Sequence, residues 1–186
     1  MSTPDVISEA EHVLDAAPGY VWDGERLPVP VEDIADSVFG LLVRDVKDMA
    51  TAPGAPALQE GQALSGLLLP GRGEIWVNAD EARQWPPRRR FTIGHELGHW
   101  VMHRAPGQQS LFCRRTSVDE SAPQPHADRD IEEEASAFAA ELLMPRMLFV
   151  REHARLSGDV GALCKAFDSS RAAMDRRIAT VFTDVG

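Results

Sequence analysis

The stretch RRRFTIGHELGHWVMH, residues 88–103, sets His95 and His99 four positions apart, with Glu96 directly after the first. On an α-helix that spacing projects both imidazoles from one face about one turn apart, so two ring nitrogens can reach a single ion. Glu96 lies about 100° around the helix from His95, near enough to serve a water on that ion without holding the ion itself. This is the logic of the HExxH pattern, in which the glutamate acts as general base. Phe91, Ile93, Leu97, Trp100, Val101 and Met102 make the helix apolar nearly all round and therefore buried. At this point the two histidines are either satisfied core residues or ligands. Burial favours ligands, because two imidazoles and a carboxylate packed side by side are costly without partners, and a divalent cation supplies them. Gly94 and Gly98 each cost a helix up to about 1 kcal/mol relative to alanine, which points to close approach of another backbone.

Composition bounds what surrounds this helix. At 186 residues the chain is long enough for one domain with a core that needs no staples. Hydrophobic residues at 44% and charged residues at 26% are those of a globular protein, and no apolar run is long enough to span a bilayer. The N-terminus is acidic where a secretory leader is basic, so a cytoplasmic protein without membrane attachment is expected. Cys113 and Cys164 read as reduced thiols. A net charge of −10 repels phosphate backbones and argues against direct nucleic-acid binding. The triplet Arg88-Arg89-Arg90 is the local exception and reads as a solvated lead-in to the helix.

Apolar spacing predicts a first helix from Thr3 to about Ala17, and a second short one between Pro30 and Gly40. LLVRDV (41–46) and EIWVNA (74–79) have strand composition, and SGLLLPGRGEIWV reads as a hairpin turning at Gly71 and Gly73. Further helices are expected at about 87–104, 130–143, 146–156 and 159–182, with 105–128 a long loop beside the site. The C-terminal pattern looks like a helix-turn-helix with Asp168-Ser169-Ser170 as its turn. Its acids and bases cancel, however, and Leu163, Phe167, Ala173, Ile178 and Val181 are better placed for the core.

A catalytic zinc needs a third protein ligand. In DRDIEEEASAFAAELLMP (128–145), helical steps of about 100° put Ile131, Ala135, Phe138, Ala139, Leu142 and Leu143 on one arc. Glu132 falls within that arc, while Glu133 and Glu134 fall outside it. A carboxylate aimed inward needs a partner, and a cation held by two histidines is one. Ala135, Ser136 and Ala139 line the same edge and would let this helix approach the Gly94/Gly98 face.

RFTIGHELGHWVMH followed by IEEEASAFAAELLMP resembles the ImmA/IrrE-type zinc metallo-endopeptidases, over roughly residues 28–182. The resemblance implies an α+β, zincin-like fold: a small, mostly antiparallel sheet on an HExxH active-site helix, with a mainly helical C-terminal half. It implies one metallopeptidase domain over 1–186, with helix, sheet and zinc-binding helices in 28–145 and the C-terminal helices in 146–186. Carried over by residue, it makes His95, His99 and Glu132 zinc ligands and Glu96 the catalytic glutamate, with manganese a substitute in vitro. Ser136 stands where the family usually has asparagine, which bears on a hydrogen bond behind the ligands. His103 reads as structural or supporting, and His126 as either solvent-exposed or an oxyanion stabiliser. The implied substrate is a specific protein, a helix-turn-helix DNA-binding repressor, cleaved in stress response or mobile-element regulation. The alternative is a non-catalytic, zinc-stabilised regulatory or partner-binding module.

Overall fold

Val6, Ala10, Val13 and Leu14 recur at helical spacing, and they form the buried face of α1 (Thr3–Ala16). The structure is a computed structural model, and it describes residues 3–52, 55, 63–104, 111–115 and 126–183. The second expected helix is α2 (Val31–Phe39), which buries Ile34 and Ala35. Gly40 ends it in the left-handed region at φ 66°, where its N–H caps the last turn.

A four-stranded sheet follows, in the order β1-β3-β2-β4. Strand β1 (Leu42–Val46) runs parallel to β3 (Glu74–Asn78), while β2 (Ala63–Leu69) is antiparallel to both β3 and β4 (Leu111–Arg115). The fold is thus α+β with a mostly antiparallel sheet. The β2–β3 hairpin turns through Pro70–Arg72 and Gly73, as its sequence predicts. Strand β4 corrects the expectation of an uninterrupted loop over 105–128: Leu111–Arg115 pairs with β2 although three of its five residues are cysteine and arginine. Residues 105–110 and 116–125 of that segment lie outside the described residues.

Two short elements were not expected. Helix α3 (Ala79–Gln84) starts directly from β3, because the Asn78 side chain accepts hydrogen bonds from the N–H groups of Asp80 and Glu81. Helix α4 (Pro86–Gly98) does not run on to 104 as an α-helix. It passes at His99–His103 into a single widened π turn.

Helix α5 (His126–Leu143) is sandwiched between α1 and α4. Its contact with α4 is as close as the glycines imply. A Cβ added at Gly98 would lie 3.1 Å from the Ala135 Cα, and one at Gly94 would lie 3.3 Å from the Ala139 Cβ. The main core spans this helix pair, the inner sheet face and the C-terminal helices α6 (Arg146–Arg155), α7 (Val160–Phe167) and α8 (Arg171–Thr183). Leu163, Phe167 and Val181 are buried as predicted, and Ala173 and Ile178 are partly buried against them. Met174 and Arg177, which the sequence did not single out, are also buried. A second apolar cluster of Met49, Ala52, Leu64, Leu67 and Leu69 covers the outer sheet face. A register irregularity between Leu64 and Gly66 breaks the alternation of β2, so that Leu64 shares a cluster with Leu67 and Leu69.

The arginine triplet is not a solvated lead-in. Arg88 pairs with Glu81 on α3, and Arg89 with both Glu32 on α2 and Asp45 on β1. Arg90 donates to the Val29 carbonyl and faces Asp168 in the α7–α8 turn. Cations in a first helical turn oppose the macrodipole, and these carboxylates offset that cost.

Candidate metal centre

His95, on α4, and His99, at the start of the π turn that continues it, project toward α5, where Glu132 meets them. His95 Nε2 lies 3.1 Å from one Glu132 carboxylate oxygen, and His99 Nε2 lies 3.1 Å from the other. The two Nε2 atoms are 3.0 Å apart. The ligand atoms of the three residues lie within 4.8 Å of one another, and among the described residues this is the one such cluster of histidine, cysteine or acidic side chains. In a tetrahedral zinc site with bonds of about 2.0–2.1 Å, neighbouring ligand atoms stand about 3.3 Å apart, so this triangle has nearly the right size. The donor set, two imidazoles and a carboxylate, is one that zinc takes, and a triangle of protein ligands leaves a further position open.

Glu132 is two-thirds buried at its side chain. Burial pushes its carboxyl up, but the hydrogen bonds from His95 and His99 outweigh that and bring it to about 2, so it is anionic at neutral pH. Of the three glutamates, the one that the sequence arc selects is the one that meets both histidines. The arc was too narrow in one respect: Glu134, placed outside it, also turns to the site, its carboxylate 2.9 Å from His103 Nε2.

Behind the cluster, the other ring nitrogen of both His95 and His99 is engaged. The Ser136 hydroxyl lies 3.2 Å from His95 Nδ1, so serine still makes the contact that its replacement of asparagine put in question. His103 Nδ1 lies 3.1 Å from His99 Nδ1, reached from the widened turn. Burial holds His103 below the ordinary histidine range, with Glu134 working against it. His126 opens α5, but its side chain lies outside those described.

Glu96 is fully buried between α4 and the sheet. The residue that makes room for it is Gly66 on β2. A Cβ there would stand 2.6 Å from Glu96 Oε1 and 2.4 Å from Thr92 Cγ2. Sequence reasoning passed over this position, although a glycine inside the apolar strand ALSGLLL is a signal of close approach.

A family model described as Peptidase_M78, IrrE N-terminal-like domain, matches residues 57–179, well over half of the 186. No curated protein matches the chain. A solved structure described as a Mycobacterium tuberculosis transcriptional regulator superposes with a TM-score of 0.55 at 14% identity. The match covers 94% of this chain and 47% of that one, a likeness of fold in which this chain spans about half the length of its neighbour. The family match reaches from before β2 to within α8 and so takes in His95, Glu96, His99 and Glu132 together: the chain belongs to the Peptidase_M78 family of IrrE N-terminal-like domains.

Proposed function

We propose that this chain is a zinc-dependent endopeptidase in which His95, His99 and Glu132 hold the ion and Glu96 is the proton carrier. The observation that carries the reading is the convergence of three ligand atoms from two helices, with a carboxylate on the adjacent α4 residue. Zinc, when bound there, supplies a Lewis acid that polarises a carbonyl and acidifies a water. Glu96 takes the proton of the attacking water and returns it to the leaving amine, a role that needs a carboxylate held rigidly in place. Its packing over Gly66 provides that rigidity. Glu132 brings the negative charge that a dication needs, and Ser136 and His103 support the two rings from behind.

The family points to a protein substrate, and we infer a specific one: a DNA-binding, helix-turn-helix repressor, cleaved in the cytoplasm in stress response or mobile-element regulation. No described helix is long and apolar enough to cross a membrane, and the net charge of −10 gives no support to direct DNA binding. The test measures metal content and cleavage together. Purified protein is loaded with zinc or manganese, incubated with candidate repressors, and compared with Glu96→Gln. Stoichiometric metal in both proteins and cleavage by the parent alone is expected. Cleavage surviving in Glu96→Gln would overturn the mechanism. Metal retained without cleavage, and cellular function unchanged by Glu96→Gln, would favour a non-catalytic, zinc-stabilised regulatory module.

A further inference from the structure

The two rings that converge on Glu132 are supported differently from behind. His95 Nδ1 meets the Ser136 hydroxyl, which can donate or accept and so does not choose a tautomer for the ring. His99 Nδ1 meets another ring nitrogen, His103 Nδ1, at 3.1 Å, and His103 Nε2 in turn meets a Glu134 carboxylate oxygen at 2.9 Å.

With a cation taking the lone pair of His99 Nε2 and both rings neutral, proton counting along this chain leaves one arrangement. A carboxylate only accepts, so the His103 Nε2 that faces it must carry the hydrogen and donate. A neutral imidazole has one N–H, so His103 Nδ1 is then an acceptor. The Nδ1 of His99 opposite must therefore be the donor, and the same rule leaves His99 Nε2 with a bare lone pair. That lone pair points at Glu132 and His95 Nε2, where a cation would sit; without the cation, the Glu132 carboxylate 3.1 Å away draws the hydrogen to His99 Nε2 instead. Reversing His103 would set its Nε2 against Glu134 as two acceptors, and reversing His99 would turn an N–H into the metal position.

We propose that Glu134 and His103 form a positioning relay that fixes His99 in its metal-binding tautomer and orientation, so that a carboxylate outside the ligand set prepares one of the ligands. Neither residue touches the ion; both act through His99. The inference rests on the metal-site reading and deepens it. It also separates two adjacent-looking glutamates on α5: Glu132 binds, and Glu134, two residues on, selects.

The first test reads tautomers in the zinc-loaded protein. Long-range proton–nitrogen correlation spectra assign the tautomer of each labelled histidine. His103 protonated at Nε2 and accepting at Nδ1 is expected, and His103 protonated at Nδ1 overturns the relay. The second test measures zinc affinity by chelator competition. Loss of a partner behind a metal ligand costs about 10–100-fold in affinity, and His103→Leu and Glu134→Leu should each show that loss, with little added in the double variant. His103→Gln, whose amide oxygen can accept from His99 and whose amide nitrogen can donate to Glu134, should recover most of it. A merely structural role predicts no such rescue. Unchanged zinc affinity in both leucine variants, with the parent binding tightly, overturns the relay and leaves the metal site standing. A parent protein that binds no zinc brings down the metal reading and the relay's role in ligation with it, whereas zinc bound with His103 protonated at Nδ1 brings down the relay alone.

Discussion

Replacing Arg177 by methionine should destabilise this protein more than any surface change, and the structure sets the size of the effect. The Arg177 side chain is 2% exposed and its partner Glu141 9% exposed. The guanidinium grips both carboxylate oxygens and also donates through Nε and Nη2 to the Met144 carbonyl, at 3.1 and 2.7 Å. It lies over the Phe149 ring, 5.7 Å from its centroid. Methionine would leave a buried carboxylate unpaired and remove both donors to the carbonyl just past the end of α5. Breaking one partner of such a pair costs about 3–5 kcal/mol. For a domain of this length each kcal/mol moves the midpoint by roughly 2–4 °C, so a fall of roughly 6–20 °C is expected. The assay is calorimetry or denaturant unfolding of Arg177→Met, Glu141→Leu and the double variant. An apolar pair can replace a buried ion pair at little or no cost, so the double variant should be more stable than either single one. Zinc affinity should not change, because Glu141 lies nine residues beyond Glu132, about 13 Å along the helix. A loss below about 1 kcal/mol in Arg177→Met, or a double variant no better than the singles, would refute the reasoning.

Other expectations follow from the site and its surroundings. Gly66→Ala puts a methyl about 1 Å inside ordinary contact with Glu96 and Thr92, and displacement of that order at a reacting group costs about 100-fold in rate. Cleavage should fall by about that factor while zinc stays bound, and full activity in a folded variant would contradict the packing argument. Zinc at about 100 times its Kd should stabilise the protein by about 2.7 kcal/mol, seen as a thermal shift that chelation reverses. An equal shift in His95→Ala would show that the ion binds elsewhere. Glu74 gives a pH signature. Burial pushes its carboxyl up, but the hydrogen bonds from Trp76 and Arg44 outweigh this and hold it below the ordinary 4.5. Its contribution is complete above the unfolded value and is lost as pH falls through that value toward the lower folded one. Stability of the parent between about pH 6 and about pH 3 should drop more steeply than that of Glu74→Gln. Parallel pH profiles would remove Glu74 from the account.

Much of the site can be read from residues because it lies on two helices with clear periodicity. Spacing sets His95, Glu96 and His99 on one helix, the small residues at 94, 98, 135 and 139 pair the two helices, and the apolar arc picks out Glu132. What was missed has a common cause: an arc assumes that a helix buries one side. Helix α5 is covered by α1 and α4 and gripped by Arg177 of α8, so Glu134 and Glu141, both off the apolar arc, are also drawn inward. Strand β4 was hidden because Leu111–Arg115 carries two arginines and no apolar alternation, and its place comes from pairing with β2. The arginine triplet looked solvated because its partners Glu32, Asp45, Glu81 and Asp168 are scattered along the chain. No local pattern could have joined them.

Those three arginines also govern how the protein opens. The first turn of α4 is tied to α2, β1, α3, the segment before α2 and the α7–α8 turn, so this helix cannot separate without disturbing nearly every other part of the fold. Local fluctuations that release amide hydrogens from loosely held helices are closed to it, and its amides should exchange only through whole-molecule opening. The helix that bears the two histidines therefore belongs to the slowest-exchanging unit of the protein, and the cluster it forms with Glu132 persists for as long as the fold does.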